Sequence, residues 1–121
     1  MSGAGRTRWA TPKVEILYFE GCPNHVAARE GVERIADDLG VAIELRTVNV
    51  ETADAAAGLR FLGSPSIRVN GHDVEPGSDE RTDFARACRV YRTDAGLRGK
   101  PDEAWVRDAL VAASTEYPGS R

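Results

Sequence analysis

The stretch Leu17-Tyr18-Phe19-Glu20-Gly21-Cys22-Pro23-Asn24-His25 restricts the fold more than any other part of the chain. Ahead of it, Val14, Ile16, Leu17, Tyr18 and Phe19 form an almost continuous apolar run, the pattern of a strand covered on both faces. Beyond it, Val32, Ile35, Ala36 and Leu39 recur at helical spacing and stop at Gly40, a residue suited to a left-handed C-terminal cap. Pro23 suits the first helical position, where the N–H it lacks would go unused. The order strand, glycine turn, cysteine, proline, helix therefore puts Cys22 at or beside the N-cap. Unpaired amides at that end point at its sulfur, and the positive end of the helix dipole favours thiolate over thiol. His25 lies three residues on, on the same face of the first turn. A cysteine near a turn is otherwise a small buried hydrophobe. The residue order here favours a reactive or ligating thiol.

Taken in order, residues 1–12 are rich in Gly, Thr and Arg without a period and read as a mobile arm, with Trp9 unassigned. Residues 13–19 are the first strand and residues 23–39 the first helix. Val41, Ile43 and Leu45 alternate, and then the apolar phase shifts to Val48 and Val50, which predicts a second strand with an irregularity near Arg46 and Thr47. Two apolar strands joined by a long helix make a parallel βαβ unit. Thr52 caps a short alanine-rich helix running to about Arg60, weakened by Gly58. Gly63-Ser64-Pro65 breaks the pattern. Ser66 to Val69 and His72 to Glu75 pair across Asn70-Gly71, a strong type I′ hairpin signal. Residues 101–114 form the last helix, with Trp105, Val106, Ala109, Leu110 and Ala113 as its apolar stripe and Asp102 and Glu103 in its first turn. Between hairpin and helix lies a charged segment, residues 78–100, in which Phe84, Ala87, Cys88 and Tyr91 have the spacing of a short helix. The tail, residues 116–121, is polar and frays.

The chain is one domain by length, 121 residues, and large enough for a core without metal or disulfide staples. A net charge of −3 and dispersed arginines argue against nucleic acid as a partner. No apolar run reaches membrane-spanning length and no signal-peptide core is present, so the cytoplasm is the expected compartment and no membrane partner is expected. The two cysteines, Cys22 and Cys88, are too few for a disulfide scaffold; in a reducing compartment such a pair is catalytic, redox-active or metal-binding.

The element order β-α-β-α-β-β-α, with a cysteine opening the first helix and Ser-Pro entering the third strand, resembles the thioredoxin-like superfamily: an α/β fold with a central mixed four-stranded sheet and flanking helices. The resemblance covers residues 13–115, apart from the insertion at about 78–100. Tyr18-Phe19-Glu20-Gly21-Cys22-Pro23-Asn24-His25, Phe61-Leu62-Gly63-Ser64-Pro65-Ser66-Ile67-Arg68-Val69-Asn70-Gly71 and Cys88-Arg89-Val90-Tyr91-Arg92-Thr93 together are similar to a small bacterial thioredoxin-like family with a Cys-Pro-Asn-His motif, some members of which carry alkylmercury lyase labels. The resemblance implies that Pro65 is a cis-proline facing the active-site helix. It also implies that Ser64 presents backbone groups to a bound thiol or peptide, with Asn24 a further substrate contact. One departure matters. Thioredoxins carry Cys-x-x-Cys, whereas here His25 stands where the second cysteine would be.

Three readings follow. In the first, the chain is a thiol-dependent oxidoreductase in which Cys22 attacks as thiolate, His25 stabilises it as imidazolium, and Cys88, glutathione or a partner protein supplies the resolving thiol. In the second, Cys22, His25 and Cys88 offer two thiolates and an imidazole to a soft metal ion, with organomercurial cleavage as a special case using Glu20 or Asp73 as proton donor. In the third, the chain is a non-enzymatic peptide-binding module built on Ser64 and Pro65. No resident cofactor is expected beyond such an ion, and the chain is expected to be a monomer or homodimer. The arginines at 81, 86, 89, 92 and 98 read as a solvated charged face rather than an anion site.

Overall fold

The computed structural model describes residues 11–114; residues 1–10, most of the expected arm with Trp9, and residues 115–121, which include the expected tail, lie outside the described residues. The elements are β1 (Lys13–Tyr18), α1 (His25–Leu39), β2 (Glu44–Asn49), α2 (Ala53–Gly58), β3 (Ser66–Val69), β4 (His72–Asp73), a 3₁₀ turn (Ser78–Glu80), β5 (Tyr91–Thr93), β6 (Gly96–Arg98) and α3 (Glu103–Ser114). The main sheet runs β2-β1-β3-β4. β1 and β2 are parallel, with Lys13 opposite Glu44 and Tyr18 opposite Asn49. β3 returns antiparallel to β1, with Leu17 opposite Ser66, and β4 is antiparallel to β3. This is the mixed four-stranded sheet with flanking helices expected of a thioredoxin-like fold.

Both faces of the sheet are covered, as the apolar run through β1 requires. Val14 and Ile16 join Ala28, Val32, Ile35 and Ala36 of α1 and Val106, Leu110 and Ala113 of α3 in one core. Leu17 joins Val50, Ala56 and Phe61 in a second core, beneath α2. The same geometry explains the apolar phase shift in β2. Pairing is continuous from Glu44 to Asn49, with no bulge at Arg46 or Thr47. Leu45 packs on the first core and Val48 on the second, and residues three apart on a strand point to opposite faces. The shift marks a change of face rather than an irregularity.

Local signals account for the boundaries. α1 ends at Gly40, whose φ of 69° is left-handed and whose N–H bonds back into the last turn. Asn70 and Gly71 both have positive φ, 51° and 87°, as a type I′ turn demands. Asp102 accepts from the Ala104 N–H at 2.9 Å at the start of α3. Thr52 caps α2 by accepting from the Ala55 N–H at 2.9 Å. Because α2 carries Ala56 into the second core, Thr52→Ala is expected to lower global stability by about 1 kcal/mol, read from the urea midpoint at unchanged slope.

Residues 78–100 hold no α-helix. They form the 3₁₀ turn, an extended run and a β5–β6 ribbon, with Tyr91 opposite Arg98. The helical spacing of Phe84, Ala87, Cys88 and Tyr91 is overridden by strand-like alternation, in which Arg89 and Tyr91 are buried while Cys88, Val90 and Arg92 are exposed. The inward positions are filled by an arginine and a tyrosine rather than aliphatics, so the period-2 signal does not register as hydrophobic. Among the described residues, no helix is long and apolar enough to cross a membrane.

Candidate active site

Cys22 lies in the connection between β1 and α1. Its N–H donates to the Phe19 carbonyl at 3.2 Å, closing a turn in which Gly21 takes a φ of 97°. A left-handed residue at the third position of such a turn is the reason for the glycine. α1 begins later than the proline suggests. Asn24 is the N-cap, its carbonyl accepting from the Ala28 N–H at 3.0 Å, and Cys22 sits two residues ahead of it. Asn24 makes no side-chain cap. The first turn of α1 therefore has no capping side chain from Asn24, and the cysteine is not itself the cap.

His25 reaches this turn through the backbone. Its Nδ1 lies 3.0 Å from the Cys22 carbonyl oxygen, and its ring stacks on Tyr18 at 4.2 Å and 11° between planes. A carbonyl only accepts, so Nδ1 carries the proton and donates. The ring fixes the backbone of the cysteine turn through that bond and leaves only Nε2 for another partner.

Ser64 and Pro65 approach the same end of the sheet, because they precede β3, whose Ser66 pairs with Leu17 near the end of β1. The Ser64–Pro65 peptide is cis. The Ser64 backbone is not free for a ligand. Its N–H donates to the Ala87 carbonyl at 2.8 Å, and its carbonyl accepts from the Arg89 N–H at 2.9 Å. Ser64 thus pairs with Cys88 as a parallel β-bridge. The backbone groups that the sequence reading assigns to a thiol or peptide are held here by a segment of the chain's own insertion. Ser64 Oγ, by contrast, is buried and has no hydrogen-bond partner among the described residues.

The insertion is held by a buried charged cluster that sequence reasoning missed. The Arg89 side chain is 1% exposed and donates to Ser66 Oγ at 2.8 Å, to both Asp73 oxygens at 2.7 and 3.1 Å, and to Glu75 Oε1 at 2.6 Å. Its guanidinium lies 4.3 Å from the Tyr91 ring centre. Burial pulls its pKa down, but the Asp73 hydrogen bond, Tyr91 and Glu75 more than offset that, so it lies above the usual arginine value. Arg89 is therefore not part of a solvated face. Arg86 is also engaged, donating to the Val50 carbonyl at 2.9 Å and lying over Phe19.

Tyr91 is fully buried and donates to the Pro65 carbonyl at 2.6 Å. Burial pushes its phenol pKa well above the ordinary value, against the opposing pull of Arg89. Above pH about 10 the unfolded chain releases this proton while the folded one keeps it, so folding stability falls there by up to about 1.4 kcal/mol per pH unit from this group. In Tyr91→Phe that contribution is expected to vanish, leaving a flatter alkaline limb in urea midpoints measured between pH 9 and 11.

The two cysteines differ in exposure. Cys22 is 4% exposed whereas Cys88 is exposed, and both are free thiols. Asp73 is saturated by Arg89 and the Glu75 N–H, and Glu20 is exposed in the turn before Cys22, so neither is poised as a proton donor to a shared sulfur site. Among the described residues, no three His, Cys, Asp or Glu side chains group so as to hold a metal ion. Cys22, His25 and Cys88 therefore do not form the donor set the sequence allows, since the strand alternation that turns Arg89 inward turns Cys88 outward. Gly99 packs against the Asn24 side chain, so Asn24 meets the insertion as well.

No protein-family model matches the chain. Over 64 residues, 52% of its length, it is 34% identical to the thioredoxin of Methanocaldococcus jannaschii, and the match spans 74% of that protein.

Proposed function

The chain belongs to the thioredoxin family, and from that membership we propose that it is a thiol-dependent oxidoreductase with Cys22 as nucleophile. The observation that carries the reading is a convergence at one end of the sheet. Cys22 follows β1 and lies two residues ahead of the α1 N-cap, while Ser64–Pro65 leads into β3, whose Ser66 pairs with Leu17 near the end of β1.

Cys22 thiolate attacks one sulfur of a disulfide, forming a mixed disulfide and expelling the other half as a thiolate that takes up a proton. The cycle cannot close within the motif, because His25 stands at its fourth position. A second thiolate must attack the Cys22 sulfur, releasing the bound half as a thiol. Cys88 or an external thiol such as glutathione fills that role and is left in a disulfide with Cys22; a further external thiolate attacks that disulfide and frees Cys22, so that two external thiols supply the two electrons and leave as their own disulfide. The proposal fits a reducing compartment such as the cytoplasm. The bonds of Ser64 to residues 87–89 argue against a peptide-binding module.

The test is chemical trapping: reaction with a low-molecular-weight disulfide, alkylation of free thiols, and peptide mass spectrometry. A mixed disulfide at Cys22, or a Cys22–Cys88 disulfide two hydrogens lighter, is expected. Adducts at Cys88 alone, with Cys22 unreactive, would sink the reading.

A further inference from the structure

We propose that residues 87–89 are a built-in occupant of the strand edge at Ser64, and that they limit the substrate to low-molecular-weight thiols and disulfides, excluding extended polypeptides. The inference rests on the reading of Cys22 as a thiol-redox nucleophile and names the substrate class of that site.

An extended peptide docks on a protein edge by pairing its backbone with free N–H and C=O groups. At the sheet end that holds Cys22, Ser64 would offer one N–H and one C=O, and both are already bonded to Ala87 and Arg89. An incoming chain would have to break these bonds before making its own.

The occupant is latched along its length. The Ala85 N–H donates to the Phe61 carbonyl at 2.9 Å, Arg89 is locked onto Ser66, Asp73 and Glu75, and Tyr91 donates to the Pro65 carbonyl. Gly63 is shaped for this contact: its φ is 124°, and a Cβ there would fall 2.8 Å from the Arg89 Cβ and 3.1 Å from the Ala87 oxygen. Only glycine lets the segment come so close. The far end of the insertion meets the start of α1, where Gly99 packs on the Asn24 side chain. The insertion thus holds the Ser64 edge at one end and meets the N-cap residue of α1 at the other, and Cys22 itself is 4% exposed. A small disulfide needs only the sulfur, whereas a polypeptide needs the edge.

The experiment compares dithiothreitol-driven reduction of 2-hydroxyethyl disulfide and of insulin, each corrected by the Cys22→Ser protein. The wild type is expected to turn over the small disulfide and to reduce insulin no faster than that control. Gly63→Ala, which must displace the segment, is expected to raise insulin reduction about tenfold over wild type, roughly the worth of the freed backbone pairing, and to keep the small-disulfide rate within about threefold. Tyr91→Phe loosens the latch while keeping its packing, and about a threefold rise is expected; it decides the matter alone if Gly63→Ala does not fold. Wild-type insulin reduction as fast as that of the small disulfide overturns the inference and leaves the redox reading standing. Folded variants that leave insulin inert overturn it too. Failure on both substrates with Cys22 free overturns the redox reading and the inference with it.

Discussion

Replacing Cys22 by serine is expected to lower disulfide turnover by about 10³-fold or more, because a hydroxyl at neutral pH holds almost none of the anion that a thiol supplies. The chain offers one other sulfur nucleophile, and Cys88 is on the solvent side of a strand whose neighbours point inward. Loss of fold would not account for the effect, since the substitution exchanges two side chains of nearly equal volume at a turn whose backbone is fixed by the Phe19 carbonyl and by His25. Circular dichroism and a urea midpoint close to wild type would establish that. Cys88→Ser then separates the two routes of resolution. If Cys88 resolves internally, the variant stalls as a mixed disulfide at Cys22 after one turnover. If an external thiol resolves, steady turnover is unchanged and tracks the concentration of that thiol. Retention of more than about a tenth of the activity in Cys22→Ser would remove Cys22 from the reaction.

The second large effect lies outside the reacting groups. Arg89→Ala is expected to destabilise the protein by about 3–5 kcal/mol, because it leaves Asp73 and Glu75 without the cation that compensates them in a largely dry site. Their side chains are 10% and 17% exposed, and Glu75 keeps an ion pair to Arg81 at 3.2 Å, which favours the lower half of that range. A domain of this size has only about 5–15 kcal/mol in total, so the variant is near its threshold at 37 °C. Arg89→Lys is expected to restore only part of the loss, since an ammonium cannot bond both Asp73 oxygens, Ser66 and Glu75 at once. Replacing the cluster together, as Arg89→Met with Asp73→Asn and Glu75→Gln, is expected to recover most of the stability, because no uncompensated charge remains. Urea unfolding of the three proteins checks this; a cost below about 1 kcal/mol for Arg89→Ala would mean that solvent reaches the cluster freely.

Much of the architecture was legible because it rests on local chemistry. The double-faced run in β1, the Gly40 cap, the Thr52 cap, the Asn70-Gly71 turn and the stripe of α3 each speak through a few neighbouring residues. The departures have separate causes. Pro23 suits a first helical position, yet the turn closed by the Cys22 N–H and Gly21 delays the helix to His25. The irregularity expected in β2 came from reading a change of sheet face as a break in pairing. The helix expected around Cys88 came from counting apolar residues where the buried positions are Arg89 and Tyr91, whose burial is compensated only by Asp73, Glu75, Ser66 and Pro65 at remote positions in the chain.

The sequence alone thus determined the fold class, the position of Cys22 between the first strand and the first helix, and the absence of a second cysteine in its motif. These follow from periodicity and from residues within a few positions of one another. Only the tertiary structure decided that Ser64 is paired with the insertion, that His25 bonds the backbone of the turn, and that Arg89 anchors the insertion to Ser66, Asp73 and Glu75. Each depends on which backbone and charged groups meet across tens of residues, and a hydrogen bond or ion pair of that kind leaves no periodic trace in the order of the amino acids.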